Sequence, residues 1–405
     1  MPLSRKPGGR ARWVIAASGL VAVLTLLAWV ASDQVGRDSK SRPSSTPPAT
    51  VELCGFGRTQ PIRNTGDYPQ AVLEKAEQTF SDVANDLSSQ SAPETRAVGL
   101  YARLVVALRL AAMADPQPNA DCSDAECTQR RWKIAKEAAA PHAQELARLA
   151  AASKDPVAYA FALFGCRLNR DDGACAQLSL ERWAQLESDN AAPWLHLAGD
   201  AAQRNDETAL RAALLKASRA KTSDSHGSRT LQLAEHPAAR ALAAAPLLVY
   251  LSQLLGVYAA LPTPPYVAVS EACSVERLAD PARKTVCGGL ATMMTERSVS
   301  LVELSLGTTI GERAGWPLER VRQLRDEKDA IIFIGQLGWV AEDVHSCRFL
   351  EQLESRTRDL ATMGEVPSAR KRLADSDRSV GELAQQWRQL QNQREGAANK
   401  GVDRN

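Results

Sequence analysis

The chain has 405 residues, of which 44% are hydrophobic and 5% aromatic, and its 49 basic and 47 acidic side chains leave a net charge of +2. Arginines dispersed beside glutamates and aspartates make a solvated surface, and they exclude the concentrated basic stripe that nucleic-acid binding requires. Long alanine-rich stretches poor in β-branched residues exclude a mainly β protein. They predict an all-α fold, a helical hairpin array preceded by a single N-terminal transmembrane helix.

Residues 1–12 form a basic N-terminus carrying Arg5, Lys6, Arg10 and Arg12. Residues 13–32, "WVIAASGLVAVLTLLAWVAS", contain no charge. At about 1.5 Å per residue this signal-anchor segment covers a hydrocarbon core of about 30 Å. Trp13 and Trp29 fall near its two interfaces. Basic residues before it and Asp33 after it predict a cytoplasmic N-terminus. The expected address is a bacterial inner membrane, crossed once, with the bulk of the chain periplasmic. A cleaved signal peptide, whose apolar region is usually about 7–15 residues, is the rival reading and leads to the same compartment. Residues 33–50 are a Ser/Pro/Thr-rich tether. An extracytoplasmic helical-repeat region is expected over 51–261, a C-terminal helical region over 262–394, and a disordered tail over 395–405.

Along the soluble part, "PQAVLEKAEQTFSDVANDL" and "ETRAVGLYARLVVALRLAAMA" read as a first hairpin, with Leu100, Leu104, Leu108 and Ala111 as the apolar stripe of its second helix. "TQRRWKIAKEAAAPHAQELARLAAAS" follows, and Pro141 is expected to break or kink it. "DPVAYAFALFGCRLN" and "CAQLSLERWAQLE" read as two helices about the turn "RDDG", where Gly173 is free to take positive φ. The apolar "EHPAARALAAAPLLVYLSQLLGVYAAL" is interrupted by Pro246. "PTPPYVAVSEAC" from Pro262 marks a boundary, and two long helices follow, the second opening at Pro317. Gly307, Gly311 and Gly315 recur every four residues and allow a close helix contact. The segments around "CRFLEQLESRTRDLATM" and "SVGELAQQWRQLQNQRE" are amphipathic helices.

Eight cysteines follow the tether: Cys54, Cys122, Cys127, Cys166, Cys175, Cys273, Cys287 and Cys347. An even number in an extracytoplasmic chain points to disulfides. Local spacing offers Cys122 with Cys127, Cys166 with Cys175 and Cys273 with Cys287, which leaves Cys54 and Cys347. Connectivity is not fixed by sequence. Cys-x-x-Cys redox spacing and a four-ligand zinc pattern are absent, so no metal and no cofactor is expected.

From Ser188, "SDNAAPWLHLAGDAAQRNDETALRAALLKA" places Trp194, Leu197, Ala198 and Ala201 on one helical face and Ala209, Ala213 and Ala217 on the facing side of a second. Asp189 lies 34 residues after Asp155, and Leu163 aligns with Leu197 at the same offset. Over about residues 155–220 this resembles a degenerate tetratricopeptide repeat, whose period is about 34 residues. The resemblance implies stacked helical hairpins with a concave face that binds a protein or peptide. Trp194 and His196 would be its contact residues.

Known catalytic arrangements are missing: no Gly-x-Ser-x-Gly, no His-Glu-x-x-His and no phosphate loop occurs. His142, His196, His226, His236 and His345 are scattered, and His196 is expected at the surface or in a groove. Glu303, Glu312 and Glu319 are expected on charged, solvated helix faces. The reading is therefore a membrane-anchored scaffold that binds an envelope protein or peptide, not an enzyme. The alternative is an all-α envelope hydrolase with a cleft between the halves, which a pocket bringing His226 or His345 near two acids would favour.

Overall fold

The computed structural model describes residues 50–60, 62, 67–113, 125–340 and 344–402. The expected membrane helix over 13–32 and the tether lie outside them. Among the described residues no helix is long and apolar enough to cross a membrane.

Among the described residues the fold is all-α apart from one small hairpin, in which β1 (Val51–Leu53) pairs antiparallel with β2 (Gly57–Thr59). Helices α1 (Gln70–Ser89) and α2 (Pro93–Met113) follow as a tight pair. Gly99 permits their approach, because a Cβ there would stand 2.3 Å from the backbone nitrogen of Ser88. Helix α3 (Ala125–Ala152) runs unbroken through Pro141, contrary to the expected break. Pro141 is exposed, so the hydrogen bond it cannot donate is missing on the solvent side of the helix.

Helix α4 (Pro156–Gly165) is capped by Asp155, whose Oδ1 accepts from Ala158 N at 2.8 Å. It is apolar nearly all round and becomes the centre of the N-terminal half. The chain then makes two 3-10 turns, Cys166–Leu168 and Gly173–Gln177, with Gly173 at φ 51°. The next α-helix, α5 (Leu180–Leu186), starts five residues after Cys175 instead of at it, because Ser179 is the residue that caps it, accepting from Arg182 N at 3.1 Å.

Helices α6 (Ala191–Gln203) and α7 (Glu207–Arg219) form a hairpin capped by Asn190 and Asp206. A 3-10 segment (Gly227–Glu235), the one-turn α8 (Pro237–Arg240) and α9 (Ala244–Ala259) come next. Pro246 does not interrupt α9: it occupies the first turn, where its missing N–H has no intrahelical partner to lose. The remaining elements are α10 (Tyr266–Ala272), α11 (Pro281–Glu296), α12 (Leu301–Arg313), α13 (Leu318–Val340), α14 (Cys347–Met363), α15 (Glu365–Ala374) and α16 (Val380–Val402). The last runs to Val402, and residues 403–405 of the expected tail lie outside the described residues. Gly307 lets α12 close on α11, where an added Cβ would meet Met294 Cβ at 2.7 Å. Gly311 instead receives the ring of Trp316, and Gly315 takes φ 93° after the helix end.

Two principal apolar clusters result. The first joins α1–α5, the 3-10 segment and α9 with Phe349, Leu350 and Leu353 of α14. The second joins α6 and α7 to α10, α11 and Ile310 of α12, and so draws on both sides of Pro262. Because α14 returns to the N-terminal half, Cys347 at its start is bonded to Cys54 beside the β-hairpin, and Cys54 N donates to His345 O at 2.9 Å. Cys166 is bonded to Cys175, and Cys273 to Cys287. Cys127 is also disulfide-bonded, while Cys122 lies outside the described residues.

Candidate functional site

The most concentrated chemistry of the molecule lies where the inter-helix loops meet. Asn190, before α6, pairs in parallel with Thr222, after α7, and Ser223 pairs in parallel with Ser298, before α12. Val299 N donates to Ser223 O at 3.3 Å, and Val366 N at the start of α15 donates to Val299 O at 3.1 Å. Four chain segments thus lie side by side as a seam. Asn190 is fully buried, and its amide is saturated from one place: Nδ2 donates to Asp224 O at 2.6 Å, while Oδ1 accepts from Asp224 N at 3.0 Å and Ala192 N at 3.1 Å. Asn190 and Asp224 are 34 residues apart.

Behind this ladder the seam buries ionisable groups. His226 is 6% exposed, in the left-handed conformation at φ 62°, and its Nε2 donates to Glu187 Oε2 at 2.9 Å. Its Nδ1 is 3.7 Å from Asp224 Oδ2. Burial alone would lower the His226 pKa, but the Glu187 bond and the Asp224 charge reverse this and raise it. Burial opposes ionisation of Glu187 as well. Hydrogen bonds from His226, Asn190 and Trp183 outweigh it and hold the carboxyl below its usual range.

Glu303 is 3% exposed, which corrects its expected place on a solvated face. Its Oε1 accepts from Tyr266 Oη at 2.9 Å, and burial raises its pKa despite bonds from Ser298, Ser223 and Tyr266. Glu365 Oε2 accepts from Leu301 N at 2.9 Å, capping α12 from a neighbouring element. Burial raises its pKa too, against the bonds from Leu301 N and Tyr258. Tyr258 and Tyr266 are both pushed well above the ordinary phenol value, by burial first and by these carboxylates second.

Glu312 and Glu319 do lie on exposed faces, paired with Arg325 and with Arg322 at 3.1 Å. Trp194 is half-buried against the second cluster, its Nε1 donating to Ser188 O at 3.1 Å and Lys216 Nζ standing 5.9 Å from its ring centre. His196 is half-buried, with Nε2 covered and without a hydrogen-bond partner. Its ring centre lies 5.8 Å from that of Trp183 and 6.4 Å from that of Phe164, and burial together with Arg167 and Arg170 lowers its pKa to about 4. His236 caps α8 through Nδ1 and reaches Asp86 Oδ2 at 3.0 Å, whereas His345 Nδ1 lies 3.4 Å from Tyr68 Oη. His196 lies against the first apolar cluster and Trp194 against the second, so the two expected contact residues face different cores.

An open surface feature lies elsewhere. Two adjoining clefts of about 490 and 400 Å³ run between α11, α13, α15 and the start of α16, sharing Gln323, Glu327 and Arg370. The charges lining them are paired: Arg370 Nε to Glu327 Oε1 at 2.6 Å, Arg320 Nη2 to Glu296 Oε1 at 2.7 Å, and Asp326 Oδ1 to Arg388 Nη1 at 2.7 Å. Among the described residues no group of three His, Cys, Asp or Glu side chains is placed to hold a metal ion.

Sequence reasoning missed Glu187, Asp224, Tyr258, Tyr266 and Glu365. One signal was present and misleading. Ser300-x-x-Glu303 and Ser379-x-x-Glu382 both carry the Ser-x-x-Glu spacing of a helix-capping box. The second is a box: Ser379 Oγ accepts from Glu382 N at 3.3 Å and Glu382 Oε2 from Ser379 N at 2.9 Å. In the first, Ser300 makes no side-chain cap, and Glu303 turns inward to Tyr266.

No protein-family model, curated protein or solved structure matches this chain.

Proposed function

We propose that this protein is a disulfide-stapled helical-repeat scaffold on the outer side of a bacterial inner membrane, tethered by residues 13–32, where it binds a protein or peptide of the cell envelope. The observation that carries the reading is the pairing of charge along the α11–α13–α15 clefts. Each acid there meets an arginine, which leaves no free acid or base to transfer a proton but leaves apolar Leu324, Leu373 and Val380 beside polar Gln323. Such a lining suits recognition of an extended segment more than reaction with it. The resemblance to tetratricopeptide repeats points the same way. The α6–α7 hairpin packs on α11, and its loops stack in parallel with those of its neighbours. Three disulfides and no free cysteine among the described residues support an oxidising compartment.

Two measurements test it. In the unreduced, denatured full-length protein, alkylation should find no free thiol; a majority of free thiols would overturn the compartment. A photo-crosslinker at Gln323 in native membranes should give a discrete protein adduct that one at exposed Lys133 does not. Equal labelling from both positions would remove the clefts from the reading.

A second reading, an envelope hydrolase, draws on His226 lying against Glu187 and Asp224. At 6% exposure that histidine is closed to any substrate in this conformation. Hydrolysis of cell-wall or peptide substrates, abolished by His226→Gln, would establish it in place of the scaffold.

A further inference from the structure

The carboxyls of the seam are sorted in an unusual way. Its cations serve one end only: His226 faces Glu187 and Asp224, Arg229 extends to Glu94 at 3.3 Å, and Arg297 donates to Ala220 O at 2.8 Å. At the other end Glu303 faces Tyr266 of α10, Ser223 and Asp224 of the loop after α7, and Ser298 of the loop before α12. Glu365 faces Tyr258 of α9 and Leu301 N, and its charge also reaches Tyr266. The groups that meet these two carboxyls are neutral donors or a further acid. Glu303 Oε2 is buried without a well-formed hydrogen bond, although Ser223 and Ser298 stand beside the carboxyl. Buried Glu303 feels the Asp224 charge, and half-buried Glu365 puts its charge on the same Tyr266; among the described residues neither carboxyl meets a basic group to offset its lost hydration.

We infer that the seam is a proton-operated joint: with Glu303 and Glu365 protonated the loops before α6, α12 and α15 lock together, and ionisation of the pair admits water and releases them.

The direction of the effect follows from the groups. Glu303 and Glu365 have an ordinary value of 4.5, and burial raises both in the closed seam. Between that value and the raised one, the closed form holds protons that the open form gives up, so closure weakens as pH rises. His226 is raised above 6.5 and acts with the same sign: its charged bond to Glu187 is fully present below 6.5 and fades as pH climbs through its folded-state value. Glu187, lowered from 4.5, acts oppositely, and its contribution is lost as pH falls below that range. The joint therefore loosens as pH rises above 4.5 through the raised values of Glu303 and Glu365 and then that of His226, and on the acid side it loses the Glu187 contribution only below 4.5.

Hydrogen exchange on the full-length protein tests this, since Ser223, Val299 and Val366 each donate an amide across the seam. After correction for intrinsic rates, their protection should fall at least tenfold from pH 5.5 to 8.0. Protection at Val83 and Ala97 in the α1–α2 pair should stay within threefold. In Glu303→Gln/Glu365→Gln, which fixes both groups neutral, the seam amides should keep their protection at pH 8.0. An equal fall in seam and α1–α2 amides, no fall at all, or a double variant with the wild-type slope would each overturn the inference. The wild-type comparison decides it even if the double variant does not fold.

Discussion

The N-terminal core and the loop seam are built on opposite physics within one helical array. In the core, Tyr101, Phe161, Phe164 and Trp183 follow one another with ring centres 5.3, 6.2 and 5.9 Å apart, Phe161 and Trp183 being fully buried. This packing gains from area removed from water and asks little of direction. The seam gains from saturated amides and charge pairs, and each depends on a partner being in place. Trp183 belongs to both, since its Nε1 donates to Glu187 Oε2 at 3.3 Å. The contrast teaches that this fold holds its helices by burial but sets the spacing of its hairpins by polar contacts, and only the second of these responds to pH.

The largest break comes from the core. Phe161→Ala removes a fully buried ring between Tyr101 and Phe164. It should cost about 3–5 kcal/mol, as large aromatic truncations do. Urea unfolding should show the same loss at pH 5.5 and 8.0, because no ionisable partner is removed. A loss that changed by more than about 1 kcal/mol between the two pH values would erase the distinction between the regions.

What was legible in the sequence follows the same division. The helices were legible because alanine-rich periodicity and caps are local: Asp155, Ser179, Asn190 and Asp206 each accept an amide two or three residues ahead. Pro141 misled because its effect depends on which side of α3 faces water. The seam was illegible because its partners are distant, as with Glu365 and Leu301 across 64 residues. The same holds for the Asn190–Asp224 bonds, which join residues 34 positions apart. Glu303 reads as a surface acid because the residue that turns it inward, Tyr266, lies 37 positions away on another helix.

A smaller and pH-dependent effect is expected within the seam. His226→Asn keeps a residue that tolerates the left-handed conformation while removing the charged bond to Glu187. The loss should be about 2 kcal/mol at pH 6, the scale of a buried hydrogen bond to a charged group. It should shrink as pH climbs through the raised folded-state value of His226, above which the wild-type imidazole donates only as a neutral ring. Unfolding midpoints of both proteins across pH 6–9 check the slope; a constant difference would assign His226 a packing role alone.

The smallest effect should come from the rim of the same seam, and it isolates burial as the cause. Lys221 and Asp189 form a shorter ion pair than His226 and Glu187, 2.7 Å against 2.9 Å, and flank the same loops. Their side chains are 77% and 64% exposed, against 7% and 22% for the buried pair. Water and salt screen such a contact, and ordering a lysine offsets much of what remains. Lys221→Ala should therefore change stability by less than about 0.5 kcal/mol, with no dependence on pH between 5.5 and 8.0. If it matched His226→Asn, short distance alone would set the strength of these contacts, and the sorting of charge by depth would lose its meaning for the seam.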